Sequence, residues 1–224
     1  MANIQIFKGV SSVTRESDDG GYMPARGTRD GVLFTADWYD ALALEGRCFI
    51  VNSGTASTPE TYAGAYDADT MDLAIDIPDG TIGIPLYIQV TFETASTGVV
   101  EVMALASSTL TAVTAGQFTA IYAKNLRIDQ PIASVSTCYG GVDSNDATDP
   151  HSGDYFEFFR SGYPTNVALT TCPAPTYVWS ARVNGPPPMI VDGGSICVWA
   201  NAAGATSTGF ITAIWAELPE SFVK

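Results

Sequence analysis

The stretch Met71 to Phe92, MDLAIDIPDGTIGIPLYIQVTF, limits what this chain can fold into more than any other. Ile82, Ile84, Leu86, Ile88, Val90 and Phe92 recur at every second position, the period of an extended strand with one apolar face. Met71, Leu73, Ile75 and Ile77 alternate in the same way with Asp72, Ala74 and Asp76. Between the two arms lies Pro78-Asp79-Gly80, and Asp-Gly supplies the positive backbone angles of a tight turn, so the pattern predicts a β-hairpin with one buried face. Pro85 removes a ladder donor and is expected at a sheet edge or a bulge. A buried face on this scale requires a second sheet.

From Arg47 onward the pattern repeats. RCFIVN, VVEVMALASS, FTAIYAK with LRID, IASVSTCY, YFEFFRS, VALT, TYVWSARV, MIV, SICVWANA and GFITAIWAELP follow one another at intervals of about ten residues, with turn residues between them. The helices that parallel strands need as crossovers are missing, which leaves an all-β, antiparallel two-sheet sandwich. A chain of 224 residues accommodates this as one domain with one core. Residues 47–224 are therefore read as the sandwich and residues 1–46 as an N-terminal arm. Within the arm, SSVTRESDDGGYMPARGTRDG shows no period, and a segment of this kind is either ordered by a neighbour or simply loose. TADWYDALALEG predicts the one short helix, with Thr35 as N-cap, Asp37 in the first turn, Gly46 as the stop, and Trp38, Ala41 and Leu42 on its apolar side.

SICVWA and FITAIWA are apolar on both sides, with Trp199 and Trp215 opposed to Val198 and Ile214. One side meets the facing sheet; the other must meet a loop, the arm or another subunit. Trp38, Trp199 and Trp215 are accordingly the expected assembly contacts.

Charge excludes one class of function. Up to Arg47 there are five basic and seven acidic residues; after it there are five basic and seventeen acidic, within a net charge of −14. An acidic body repels phosphate backbones, so direct nucleic-acid binding by the body is not expected. Only 15 % of residues are charged, which suits a surface largely covered by neighbours, although weakly charged secreted β-domains look similar. The opening MANIQIFKGV has no apolar run behind a basic end, and no stretch approaches eighteen apolar residues, so neither a secretory signal nor a membrane span is expected. Cys48, Cys138, Cys172 and Cys197 lack the C-x-x-C spacing of metal or redox sites, and cytosolic synthesis favours buried free thiols over the three disulfide pairings that four cysteines permit.

Candidate chemistry is sparse. His151 is the only histidine, there is no G-x-S-x-G elbow, and DPHSGD reads as an exposed turn, so no catalytic residue is assigned. Asp143, Asn145, Asp146 and Asp149 form an oxygen-rich loop that would admit calcium, although the loop does not follow the EF-hand pattern and Asp and Asn are also ordinary turn formers. Asp154 with Glu157, or Asp76 with Glu93, could be imagined as paired acids of a glycosidase, a spacing that any acidic β-protein provides. In YFEFF, alternation sends Phe156 and Phe158 one way and Tyr155 and Phe159 the other, so half of a would-be sugar platform belongs to the core.

The ending MIVDGGSICVWANAAGATSTGFITAIWAELP has a Gly turn opening a two-sided strand, a small-residue loop, and an aromatic-bearing strand closing on Glu-Leu-Pro. It resembles the last two strands of viral jelly-roll proteins, and is also similar to the closing hairpin of tumour-necrosis-factor-like trimer modules. Taken as a strand sequence, the resemblance covers Leu73 to Pro219. It implies an eight-stranded jelly roll that assembles through its sides, a virion capsid or decoration subunit of a bacterial virus, assembled in the host cytoplasm. Such a protein is not an enzyme and needs no cofactor, calcium apart. Its partners would be copies of itself, as a trimer or pentamer within a shell, and other virion proteins. A trimeric receptor- or carbohydrate-binding module is the alternative, and a β-sandwich hydrolase the third reading.

Overall fold

The computed structural model describes strands Gln5–Phe7 and Tyr22–Pro24 and residues 37–222, except 56, 64–65, 94–99, 115, 130–131, 143–146, 164–175 and 203–206. In chain order the strands are β1 (Gln5–Phe7), β2 (Tyr22–Pro24), β3 (Cys48–Asn52), β4 (Glu60–Thr61), β5 (Leu73–Ile77), β6 (Thr81–Phe92), β7 (Val100–Ser107), β8 (Thr119–Ile121), β9 (Lys124–Asn125), β10 (Thr137–Gly140), β11 (Tyr155–Tyr163), β12 (Thr176–Ser180), β13 (Gly194–Ala202) and β14 (Thr208–Pro219). Helix α1 (Trp38–Leu44) precedes β3, and a one-turn α2 (Ala181–Asn184) follows β12. Within the arm, β1 and β2 pair antiparallel with each other.

The remaining strands build two antiparallel sheets, β12-β6-β14-β3-β9 with β4 alongside β14, and β11-β7-β13-β5-β10-β8. Without the short strands β4, β8, β9 and β10, eight strands are left in two sheets of four, β3-β14-β6-β12 and β5-β13-β7-β11. Successive strands change sheet at nearly every step. This is the jelly-roll order. The insertion between β7 and β11 supplies β8, β9 and β10, which extend both sheets past β3 and β5 and so cover one side of the sandwich. The core between the sheets includes Phe49, Leu73, Ile75, Val90, Val102, Trp179, Val198 and Trp215.

Four expectations are corrected by this topology. The arms around Pro78-Asp79-Gly80 are not a hairpin, because β5 pairs with β13 and β10 while β6 pairs with β12 and β14. The turn, with Gly80 at φ +77°, carries the chain from one sheet to the other. Gly83 is needed at that crossing, since a Cβ there would lie 2.7 Å from Cγ1 of Ile77.

Second, β6 does not keep one apolar face. Its register against β14 shifts between Tyr87 and Pro85, a bulge next to the proline as expected, and a bulge reverses the side to which later residues point. Ile82, Ile84 and Leu86 face outward beneath α1, whereas Ile88, Val90 and Phe92 enter the core. Third, α1 begins after Asp37 and turns Tyr39, Leu42 and Ala43 inward, leaving Trp38 43 % exposed; Thr35 lies outside the described residues. Fourth, TYVWSARV is strand only to Ser180, whose hydroxyl accepts from the Arg182 N–H and starts α2.

The two-sided strands are covered by the subunit's own segments. Trp215 lies in the inter-sheet core and Trp199 beneath loops on the outside of the second sheet, both fully buried. The expectation that they are assembly contacts is therefore corrected, because neither offers surface to a neighbour. Of the three tryptophans, Trp38 alone remains exposed. Cys48, Cys138 and Cys197 are buried free thiols, and Cys172 lies outside the described residues.

Candidate functional site

A group of polar and aromatic side chains sits on the outside of the second sheet. Trp199 points outward from β13, and two segments close over it, one through Tyr66 and Asp67 and the other through Asp149 to Tyr155. Its indole N–H donates to the Asp67 carbonyl at 2.9 Å. Asp149 caps a single 3-10 turn, Pro150–Ser152, by accepting the His151 backbone N–H at 2.8 Å. The same carboxylate oxygen lies 2.9 Å from Nδ1 of His151. A carboxylate only accepts, so Nδ1 carries the proton, and in the neutral ring Nε2 is left to accept the Tyr66 hydroxyl at 3.2 Å. The Tyr155 ring meets the imidazole edge-to-face at 4.8 Å.

Carboxylate, imidazole and hydroxyl follow one another in the order of a nucleophilic relay, but the last group is a phenol. Burial, followed by the nearby Asp149 carboxylate, pushes the Tyr66 hydroxyl above its ordinary range, the direction opposite to activation. What the relay does is join two loops above Trp199. Beside it, Arg160 donates to Glu157 at 2.7 and 2.8 Å and holds that carboxyl below its usual range.

Among the described residues three further carboxylates are buried, and each anchors loop backbone. Asp72 accepts from the amides of Ala63 and Ala200 at 3.0 and 2.6 Å, and burial pushes it up to about 7. Asp76 accepts from the Thr111 amide and hydroxyl and the Ala112 amide, and is likewise raised by burial. Glu217 accepts from the hydroxyls of Ser134 and Ser136, the Val135 amide and the Trp215 indole, fastening the insertion to β14. In sequence these acids look like the outward half of an alternating strand. Only a buried outer face with loop amides above it shows otherwise, and no local signal announces that.

These placements decide several expectations. Of the calcium candidates, Asp149 is engaged with His151, while Asp143, Asn145 and Asp146 lie outside the described residues. Among the described residues no three His, Cys, Asp or Glu side chains come together in a way that could hold a metal ion. Asp76 is buried and occupied with Thr111 and Ala112, whereas Glu93 is exposed, so they form no acid pair across a cleft. In YFEFF the expected alternation is broken by a register shift between Glu157 and Phe159. Phe158 and Phe159 both pack on the core, and Tyr155 and Phe156 are both exposed. Those two rings line a shallow groove of about 320 Å³ with Ser107, Asp154, Met189 and Val191.

Comparison with protein-family models, with curated proteins and with solved structures finds no match to this chain.

Proposed function

We propose that this chain is a virion structural protein, a jelly-roll capsid or decoration subunit that assembles with copies of itself through its arm and the sides of its sheets. The observation that carries the reading is the eight-strand jelly-roll order, in which His151, Asp72, Asp76 and Glu217 all serve to fasten covering loops. A rigid two-layer block with its reactive groups engaged in its own structure suits building better than chemistry. Exposed apolar side chains remain for neighbours, among them Trp38, Ile128, Phe156 and Met189. The acidic body would face outward or sideways rather than towards a genome. Electron microscopy and sedimentation of the expressed chain test the proposal. Rings, shells or discrete oligomers are expected, and a strict monomer at high concentration overturns it.

Tyr66 and Tyr155, exposed around His151, favour a second reading, a trimeric receptor- or carbohydrate-binding head. Binding on a glycan array by a chain that forms trimers but no larger assembly would select it.

A further inference from the structure

The second sheet ends in β8 on one side and β11 on the other, six strands in all, so its two edges are roughly 24 Å apart at about 4.8 Å per step. Each edge carries its own apolar surface. On the β8/β9 side the insertion exposes Tyr122, Val135 and Ile128, the last of them 90 % accessible. This surface continues onto the end of α1, where Arg127 donates to the Leu44 carbonyl at 3.1 Å and the Leu44 side chain is exposed. On the β11 side the surface is concave, the groove of about 320 Å³ in which Tyr155, Phe156 and Met189 stand open. One edge holds out apolar side chains and the other holds a groove.

Charge is matched in the same sense. A subunit of net charge −14 resists its own copies unless the contact pairs opposite signs. Lys124 is exposed beside Tyr122 and Asp154 is exposed in the groove; among the described residues neither takes part in a salt bridge within the chain.

Resting on the assembly reading above, we propose that copies join head to tail, the edge of one copy that carries Tyr122, Ile128 and Val135 seated in the Tyr155–Phe156–Met189 groove of the next, with Lys124 facing Asp154 across the joint. The two surfaces differ, so the contact is heterologous, and repetition closes a ring or extends a filament according to the rotation at each joint.

Ile128→Glu and Phe156→Glu test the joint, since both side chains are exposed and circular dichroism can verify that each variant remains folded. Each variant alone is expected to weaken self-association about tenfold or more, measured by sedimentation velocity. A one-to-one mixture is the sharper measurement. The Phe156 variant keeps an intact Ile128 edge and the Ile128 variant an intact groove, so the mixture forms one sound joint and stops at dimers. A mixture that stays monomeric, or a variant that assembles like the parent, overturns the head-to-tail contact. Assembly undisturbed by both variants overturns only this contact, whereas a parent chain that is monomeric at high concentration overturns the assembly reading with it.

Discussion

Each sheet of this sandwich has a second apolar face on its outside, and the two faces are covered by opposite means. Outside the β14 sheet, Cys48, Ile82, Ile84, Leu86 and Ala216 lie under α1, which contributes Tyr39, Leu42 and Ala43. The polar ties of this cover are at the surface, where Arg182 pairs with Asp37 and Asp40 at 3.2 and 3.0 Å and lies over the Tyr39 ring. Outside the β13 sheet, Met71, Ala74, Met103, Leu105, Cys197 and Trp199 lie under loops, with Asp72 and Asp76 buried among the strands. The difference follows from backbone chemistry. Within a helix, most backbone amides find partners in the helix itself, so an apolar stripe is enough to cover a face. A loop brings unpaired N–H groups with it, and these must find acceptors before the apolar surface beneath can close. The amides of Ala63, Thr111 and Ala112 find theirs on Asp72 and Asp76.

The most forceful way to break this comparison is to empty the space beneath each cover. Trp199→Ala removes a fully buried ring on which Tyr66 and His151 both rest, and is expected to lower unfolding free energy by about 3 to 5 kcal/mol in urea titration. Leu42→Ala, in a part-buried position under α1, should cost about 1 to 2 kcal/mol. Equal losses would mean that the two covers contribute alike and that the loops add nothing specific.

A smaller effect separates the covers by their response to pH. Burial holds the Asp72 proton in the folded chain to about pH 7, whereas in the unfolded chain it leaves near the ordinary value of 3.8. Between these values the folded state binds more protons than the unfolded state, so the stability due to this group is complete below about pH 4, declines as pH rises towards 7, and is flat above. Asp76, raised in the same direction, adds to the slope. The gap in urea midpoint between the parent and Asp72→Ala should therefore be widest near pH 4 and narrow towards pH 7. The gap between the parent and Leu42→Ala should not change over that range. A parent-to-Asp72→Ala gap that widens with rising pH would show that the carboxylate, rather than the carboxylic acid, anchors Ala63 and Ala200.

The same contrast explains what could be read in advance. Two antiparallel sheets and a single short helix ahead of the sandwich were legible because period-two alternation and the Asp-Gly and Gly-rich turns are local properties. Strand pairing was not. The partners of β5 are β13 and β10, more than a hundred and about sixty residues further on, so nothing near Pro78-Asp79-Gly80 distinguishes a hairpin from a crossing between sheets. Nor does alternation reveal the register shifts in β6 and β11, which exchange inside and outside for Ile82, Ile84 and Leu86 and for Phe156 and Phe158. Trp199 was legible as a residue needing a second cover, but the identity of that cover depends on loops whose sequence, rich in Gly, Ser and Asp, carries no apolar pattern; Trp215 lies between the sheets and needs none. The His151 relay was invisible for a similar reason, since Tyr66 and His151 are brought together across 85 positions.

That relay gives the finest test of whether polar pins or the buried ring hold the loop cover down. Tyr66→Phe removes one hydroxyl and keeps the ring that lies 5.7 Å from Trp199. Nε2 of His151 then turns to solvent, which its part-exposed side chain can reach. Only the difference between a protein and a water hydrogen bond is lost, so the expected cost is about 0.5 to 1.5 kcal/mol, well under that of Trp199→Ala. The local consequence should be larger than the global one. Hydrogen exchange of the Trp199 indole N–H, bonded to the Asp67 carbonyl beneath these loops, should quicken in the variant, while backbone amides of β14 keep their protection. If indole exchange is unchanged, Tyr66 serves as a packed ring and the loops are held by their other ties, among them Asp72, Asp76 and the Ser107 hydroxyl on the Pro150 carbonyl. If instead β14 loosens in step, the loop cover and the sandwich open together, and the two outer faces cannot be treated as separate structures.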